Sequence, residues 1–184
     1  MASRESGEND RVIALFTREF GLVWAKAIGV RKETSKMRCA VPSYARAQVA
    51  LIRGKHGWRL AGAISLDAPP RARVRSAGPS GLSVFARIAS LTLKLVGGEE
   101  QNIYLYDTLT EAHSSLTYGG EASSTVELLC VARILYSLGY LSADALGTSL
   151  FAHTAFAEPH MAEATELRDP LLASVNNALS AAHL

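Results

Sequence analysis

The chain has 184 residues, 48% of them hydrophobic and 20% charged, enough for one domain or two small ones with a buried core. Its net charge of +2 conceals a division: residues 1–75 hold fifteen Lys and Arg against six acids, net +9, and residues 76–184 hold four against eleven, net −7. No secretory signal is visible in the polar opening MASRESGENDR, and the most apolar run, residues 126–141, is shorter than a membrane span and contains Glu127 and Arg133. Two distant cysteines, Cys39 and Cys130, point to reduced thiols and exclude a four-thiolate zinc site.

The first third reads as strands. Residues 11–17, RVIALFT, are β-branched and aromatic, a turn follows at Arg18-Glu19-Phe20-Gly21, and residues 22–28 form the next strand. Alternation puts Leu22, Trp24, Lys26 and Ile28 on one face and the small residues Val23, Ala25 and Ala27 on the other. Residues 29–38, GVRKETSKMR, then place four cations in ten positions. An extended stretch over 39–53 follows, with Pro42 marking an edge or bend. Gly54-Lys55-His56-Gly57 signals a hairpin, and residues 58–66 return. Strands joined by such tight turns fit a small barrel or sandwich.

The period then changes. Asp67-Ala68-Pro69-Pro70 and the basic connector Arg71-Ala72-Arg73-Val74-Arg75 lead to apolar residues at helical spacing from Leu82 to Leu95, stopped by Gly97-Gly98. Further helices are expected over about 100–116 and 122–138, the latter apolar almost all round and closed by Gly139. Asp169-Pro170 offers an N-cap and a first-turn proline for a last helix over 171–182. The reading is an α+β chain with a β domain at 1–75 and a helical domain at 76–184.

Residues 7–32, GENDRVIALFTREFGLVWAKAIGVRK, carry the segments Gly7-Glu8-Asn9-Asp10, Thr17-Arg18-Glu19-Phe20-Gly21 and Ala25-Lys26-Ala27-Ile28-Gly29, followed by Arg31, Lys32 and Ser35. Gly98-Glu99-Glu100-Gln101-Asn102, Leu105-Tyr106-Asp107 and residues 135–141, LYSLGYL, follow in the second half. In these segments the chain resembles the DNA recombination mediator RecO family. The resemblance implies an N-terminal OB-fold barrel and a C-terminal all-α domain. It also implies binding of single- and double-stranded DNA, annealing of complementary strands, and two protein partners: RecR and the acidic C-terminal tail of single-stranded DNA-binding protein, in support of recombinase loading. Two departures stand out. Many members carry a four-cysteine zinc motif where this chain has Ser142-Ala143-Asp144-Ala145-Leu146-Gly147, so no metal or other cofactor is expected. Only six residues precede Gly7, so a shortened first barrel strand is expected.

An OB barrel holds single strands with a positive groove and aromatic platforms. Arg31, Lys32, Lys36 and Arg38 are candidates for phosphate contacts, with Lys26, Arg53, Lys55 and Arg59 extending the track. A lone charge run is ordinarily a solvated connector, but the +9 half and the resemblance together favour nucleic acid. Trp24 and Trp58 are candidates for base stacking or for the barrel core. Catalysis is not expected, since neither a Walker loop nor a G-x-S-x-G elbow occurs. Arg133, in the most apolar helix, is either a snorkelling cation or the contact for a partner's terminal carboxylate. Alternatives of other classes are an RNA-binding OB protein and a protein-only adaptor. The expected location is the cytoplasm, in association with the nucleoid.

Overall fold

The computed structural model describes residues 3–6, 8–31, 35, 37, 41–66, 81–118, 123–142 and 146–182. Five strands come first: β1 (Ser3–Glu5), β2 (Arg11–Thr17), β3 (Gly21–Ala27), β4 (Ala47–Gly54) and β5 (Gly57–Ser65). Five helices follow: α1 (Gly81–Leu95), α2 (Ile103–Tyr118), α3 (Ser123–Ser137), α4 (Glu158–Glu166) and α5 (Arg168–Ala181). The described residues fall into two compact units, Met1–Gly78 with Gly97–Gln101, and Pro79–Val96 with Asn102–Leu184.

In the strand unit the order is β1-β2-β3-β5-β4, antiparallel except for a parallel pairing of β3 with β5. This is a five-stranded OB-type sheet that does not close among the described residues. The first strand is short, three residues, and pairs with β2 from Ser3↔Ile13 to Glu5↔Arg11. The β2–β3 turn is closed by Thr17, whose hydroxyl donates to the Gly21 carbonyl and accepts the Phe20 N–H. Gly21 itself sits at φ +63°, and a Cβ there would collide with the Glu100 backbone. The expected long extension over 39–53 is narrower. Residues 38–40 lie outside the described set, and the strand starts only at Ala47, because Pro42 opens a turn whose carbonyl accepts the Ala45 N–H. The inner face of the sheet is a small core of Ile13, Val23, Ala25, Ala27, Val30, Trp58 and Leu60.

In the helical unit α3 is central and packs against all four other helices, which is why it is apolar almost all round. It ends in a Schellman motif: Gly139 at φ +79°, with the Tyr140 N–H on the Leu135 carbonyl and the Gly139 N–H on that of Tyr136. Helix α2 starts at Ile103 rather than near 100, because the Asn102 side chain accepts the Leu105 N–H as an N-cap. The expected cap at Asp169 is corrected as well. Leu167 is at once the C-cap of α4 and the N-cap of α5, so Asp169 and Pro170 lie inside the first turn of α5. Helix α4 was not expected. Among the described residues no helix is long and apolar enough to cross a membrane.

Replacing Gly21 by Ala should destabilise the protein by about 1–3 kcal/mol, since strain at positive φ and the clash with Glu100 add. Thermal unfolding monitored by circular dichroism should show a midpoint lowered by several degrees, and an unchanged midpoint would contradict the close approach.

Candidate nucleic-acid interface

Strand pairing lines up residues that are far apart in the chain. One row runs Ser3↔Ile13↔Ala25↔Trp58↔Arg53, and the adjacent row Arg4↔Val12↔Lys26↔Arg59↔Ile52. Because side chains alternate across a sheet, the two rows point to opposite faces. The first is the core row, with Ile13, Ala25 and Trp58 buried. The second faces outward and places three cations, Arg4, Lys26 and Arg59, on one surface with the exposed Ile52. Trp24, two residues before Lys26, projects from the same face and is 43% exposed.

The carboxylates of the β1–β2 turn hold the entrance to the basic loop. Asp10 accepts the Gly29 N–H at 2.8 Å through one oxygen and pairs with Lys26 Nζ at 3.2 Å through the other. Gly29 adopts φ +65°, so this turn needs glycine. The Arg31 N–H donates to the Asn9 carbonyl, and its guanidinium meets Glu5 at 3.2 Å. Here the motif segments find a local cause: the acidic turn before β2 fixes the glycine turn after β3. Neither Glu5 nor Asp10 stood among the expected site residues, nor did Arg4. Only the pairing register, which the sequence does not state, brings them to the site.

The expected site residues divide accordingly. Lys26 and Arg59 are direct neighbours across β3 and β5. Lys55 lies at the exposed β4–β5 turn, at the end of the same hairpin. Arg53 belongs to the core row, at the edge of the sheet, where its guanidinium lies over the Trp58 ring at 5.3 Å and meets Glu99 at 3.5 Å. Trp58 is a core residue, 9% exposed and packed on Phe20 with ring centroids 4.9 Å apart, so it offers no stacking surface. Lys32, Lys36 and Arg38 lie outside the described residues, as does the basic connector 71–75.

Arg133 requires a correction. It is neither a snorkelling cation nor an available partner contact, because its side chain is 0% exposed. Its Nε donates to the Leu150 carbonyl at 3.0 Å, and Nη1 donates to those of Thr154 and Ala155 at 2.9 and 3.0 Å. The guanidinium also lies over the Phe156 ring at 4.9 Å. The cation therefore tethers the non-helical segment before α4 to the central helix. Burial lowers its pKa, partly offset by the neighbouring Tyr104 and Cys130. Desolvation in the same interior pushes the Cys130 thiol and the Tyr104 phenol each up to about 12.

Elsewhere in the helical unit a cleft of about 680 Å³ opens beside the end of α3, lined by Asn102, Tyr104, Tyr136, Ser137, Gly139, Leu141 and Ser142. No acid, base or nucleophile pair converges in that lining. Among the described residues no three His, Cys, Asp or Glu side chains are grouped to hold a metal.

This interior generates three predictions. Arg133→Ala leaves three inward carbonyls without donors and should cost roughly 3 kcal/mol or more, read as a lowered urea midpoint; a neutral substitution would contradict the tether. Cys130 and Tyr104 ionise more readily unfolded than folded, so stability should fall as pH rises from about 9, where the unfolded thiol ionises, towards 12. In a Cys39→Ser background, Cys130 should resist alkylation at pH 8 until the protein is unfolded, and fast labelling of the native protein would refute this.

Comparison with known proteins agrees with the strand unit first. Residues 1–58 match the family model described as "Recombination protein O N terminal". The chain is similar to DNA repair protein RecO of Desulfitobacterium hafniense (strain DSM 10664 / DCB-2), 45% identical over 53 residues, 29% of this chain and 19% of that protein. It is similar to that of Pelotomaculum thermopropionicum, 40% identical over 55 residues, 30% of this chain and 22% of the relative. The likeness to DNA repair protein RecO of Gloeothece citriformis is 31% over 105 residues, 57% of this chain and 36% of that protein. This last match is longer than the whole strand unit and so reaches into the helices. In each of these pairings the matched stretch spans well under half of the relative's own length.

Proposed function

We propose that the chain is a member of the recombination protein O family, whose N-terminal model matches residues 1–58, and that it is a DNA repair and recombination protein whose strand unit binds single-stranded DNA across the outward face of its sheet. The observation that supports this most is the direct juxtaposition of Lys26 and Arg59. Like charges opposite one another in a sheet cost stability, by roughly 0.2–1 kcal/mol. Asp10 relieves Lys26, whereas Arg59 has no carboxylate partner among the described residues. A phosphate backbone passing over the pair would neutralise both.

The reading extends to mechanism. Annealing brings two polyanions together, and a +9 half screens both while leaving base edges free, since phosphate contacts carry no sequence information. The loop cations Arg31, Lys32, Lys36 and Arg38 would continue the track. Double-stranded DNA would bind to the same cations. The acidic half, net −7, would repel DNA and serve protein docking, with RecR and the tail of single-stranded DNA-binding protein as the partners. The location proposed is the nucleoid.

Titration of fluorescent single-stranded DNA over a salt series tests the interface. Lys26→Ala/Arg59→Ala should weaken binding and reduce the slope of log K against log salt by between about 0.7 and about 1.4, at roughly 0.7 for a free cation and less for Lys26, which exchanges Asp10 for the phosphate. Arg59→Ala alone should leave the fold as stable or slightly more so, because it removes the like-charge neighbour. Replacing the four loop cations by Ala should lower the slope further, by up to about 2.8. A double variant that binds as the parent does at every salt concentration would remove the sheet face from the DNA path.

A further inference from the structure

We propose that Arg4 and Trp24 form a clamp for one unpaired base, and that this clamp, rather than the cations alone, makes the strand face prefer single-stranded nucleic acid; the inference rests on the reading above and deepens it. Trp24 projects outward from β3 directly opposite Ala14, whose methyl group is too small to cover an indole. The ring is therefore 43% exposed although the backbone beneath it is buried in the sheet. Arg4, on β1, lies with its guanidinium carbon 5.3 Å from the centroid of that ring.

Arg4 differs from Lys26, Arg31 and Arg53 in what holds it. Lys26, Arg31 and Arg53 each meet a carboxylate, Asp10, Glu5 and Glu99. Arg4 has no carboxylate partner among the described residues, and its one recorded partner is the indole. A planar cation over an exposed indole occupies the place a nucleobase would take, since base, indole and guanidinium all stack through flat faces. Lifting the guanidinium from 5.3 Å to about 7 Å, two stacking distances, admits a base between the two planes. The base then gains indole on one side and cation on the other. Arg4 loses nothing in that exchange, as it moves from one π face to another.

The position of the clamp agrees with a strand crossing the sheet. Arg4, Lys26 and Arg59 lie in one cross-strand row, separated by Val12 between the first two. A backbone laid along the row has phosphate partners at Lys26 and Arg59 and one base turned down beside Arg4 onto Trp24. Bases within a duplex are already stacked and offer no free face, so only an unpaired strand fills the clamp.

Fluorescence anisotropy with three labelled probes of equal length separates the alternatives: oligothymidylate, an abasic strand with the same phosphates and no bases, and a duplex. The parent should bind oligothymidylate about tenfold more tightly than the abasic strand. Trp24→Ala should abolish that ratio while residual, salt-sensitive affinity for both strands persists, and Trp24→Phe should restore most of it. Arg4→Ala should lower the ratio several-fold. An Arg4→Ala variant that weakens both strands equally would make Arg4 a phosphate contact and overturn the clamp, as would a parent that binds both strands equally; in either case the proposed DNA-binding function stands. A parent that binds none of the probes at low salt would overturn that function and the clamp with it. Circular dichroism of each variant secures the comparison, since both side chains lie on the surface.

Discussion

Two residues of parallel pairing, Ala25 with Trp58 and Lys26 with Arg59, connect the N-terminal meander to the β4–β5 hairpin, and the candidate interface depends on them. A sheet alternates its side chains, so this register decides two faces at once. Trp58 meets Ala25 inside, and Arg59 meets Lys26 outside. A slip by one residue would bury Arg59 and turn Trp58 to solvent, at a cost in both apolar burial and charge desolvation. The core thus enforces the cation pair that electrostatics alone would separate.

What was legible in the sequence followed the range of the forces involved. Strands β2 and β3 and the 54–57 hairpin are set by local alternation and turn chemistry, and each lies within about a residue of its expected place. The inward and outward sets on β3 were legible for the same reason, except that Leu22, expected outward, is buried at the sheet's end. Helix α4 was not legible because only Met161 and Ala164 of its nine residues are buried, too few to show a period. The cap at Asp169 misled because its local signature was correct while the chain turned from α4 into α5 at Leu167, two residues earlier.

Arg133 shows where such reasoning stops. A cation in the most apolar helix had to be compensated, and the sequence says so. Compensation came from three backbone carbonyls of residues 150–155, which no side-chain pattern announces. A charge without a counter-ion among the described residues is tolerable there because carbonyl dipoles converge on it, and because Phe156 closes one side with an aromatic face. The same desolvation that this requires holds Cys130 and Tyr104 neutral. The cation of the acidic half is thus an internal tie, and any docking of partners there rests on other residues.

The carboxylates that meet cations of the strand unit change what binding means. Asp10, Glu5 and Glu99 occupy Lys26, Arg31 and Arg53, and all three pairs are solvent-exposed enough to be worth at most about 1 kcal/mol each. A phosphate can replace each carboxylate at little enthalpic difference, but the displaced carboxylate then recruits a counterion of its own. Such an exchange releases fewer net ions than a phosphate meeting a free cation. The salt dependence of binding would therefore report Arg59 and Lys55, which have no carboxylate partner among the described residues, more fully than the paired cations. Asp10 has a further role, because its second oxygen holds Gly29 and with it the start of the basic loop. A strand that drew Lys26 away would leave that hydrogen bond intact, so the face can exchange its ion pairs without losing its shape.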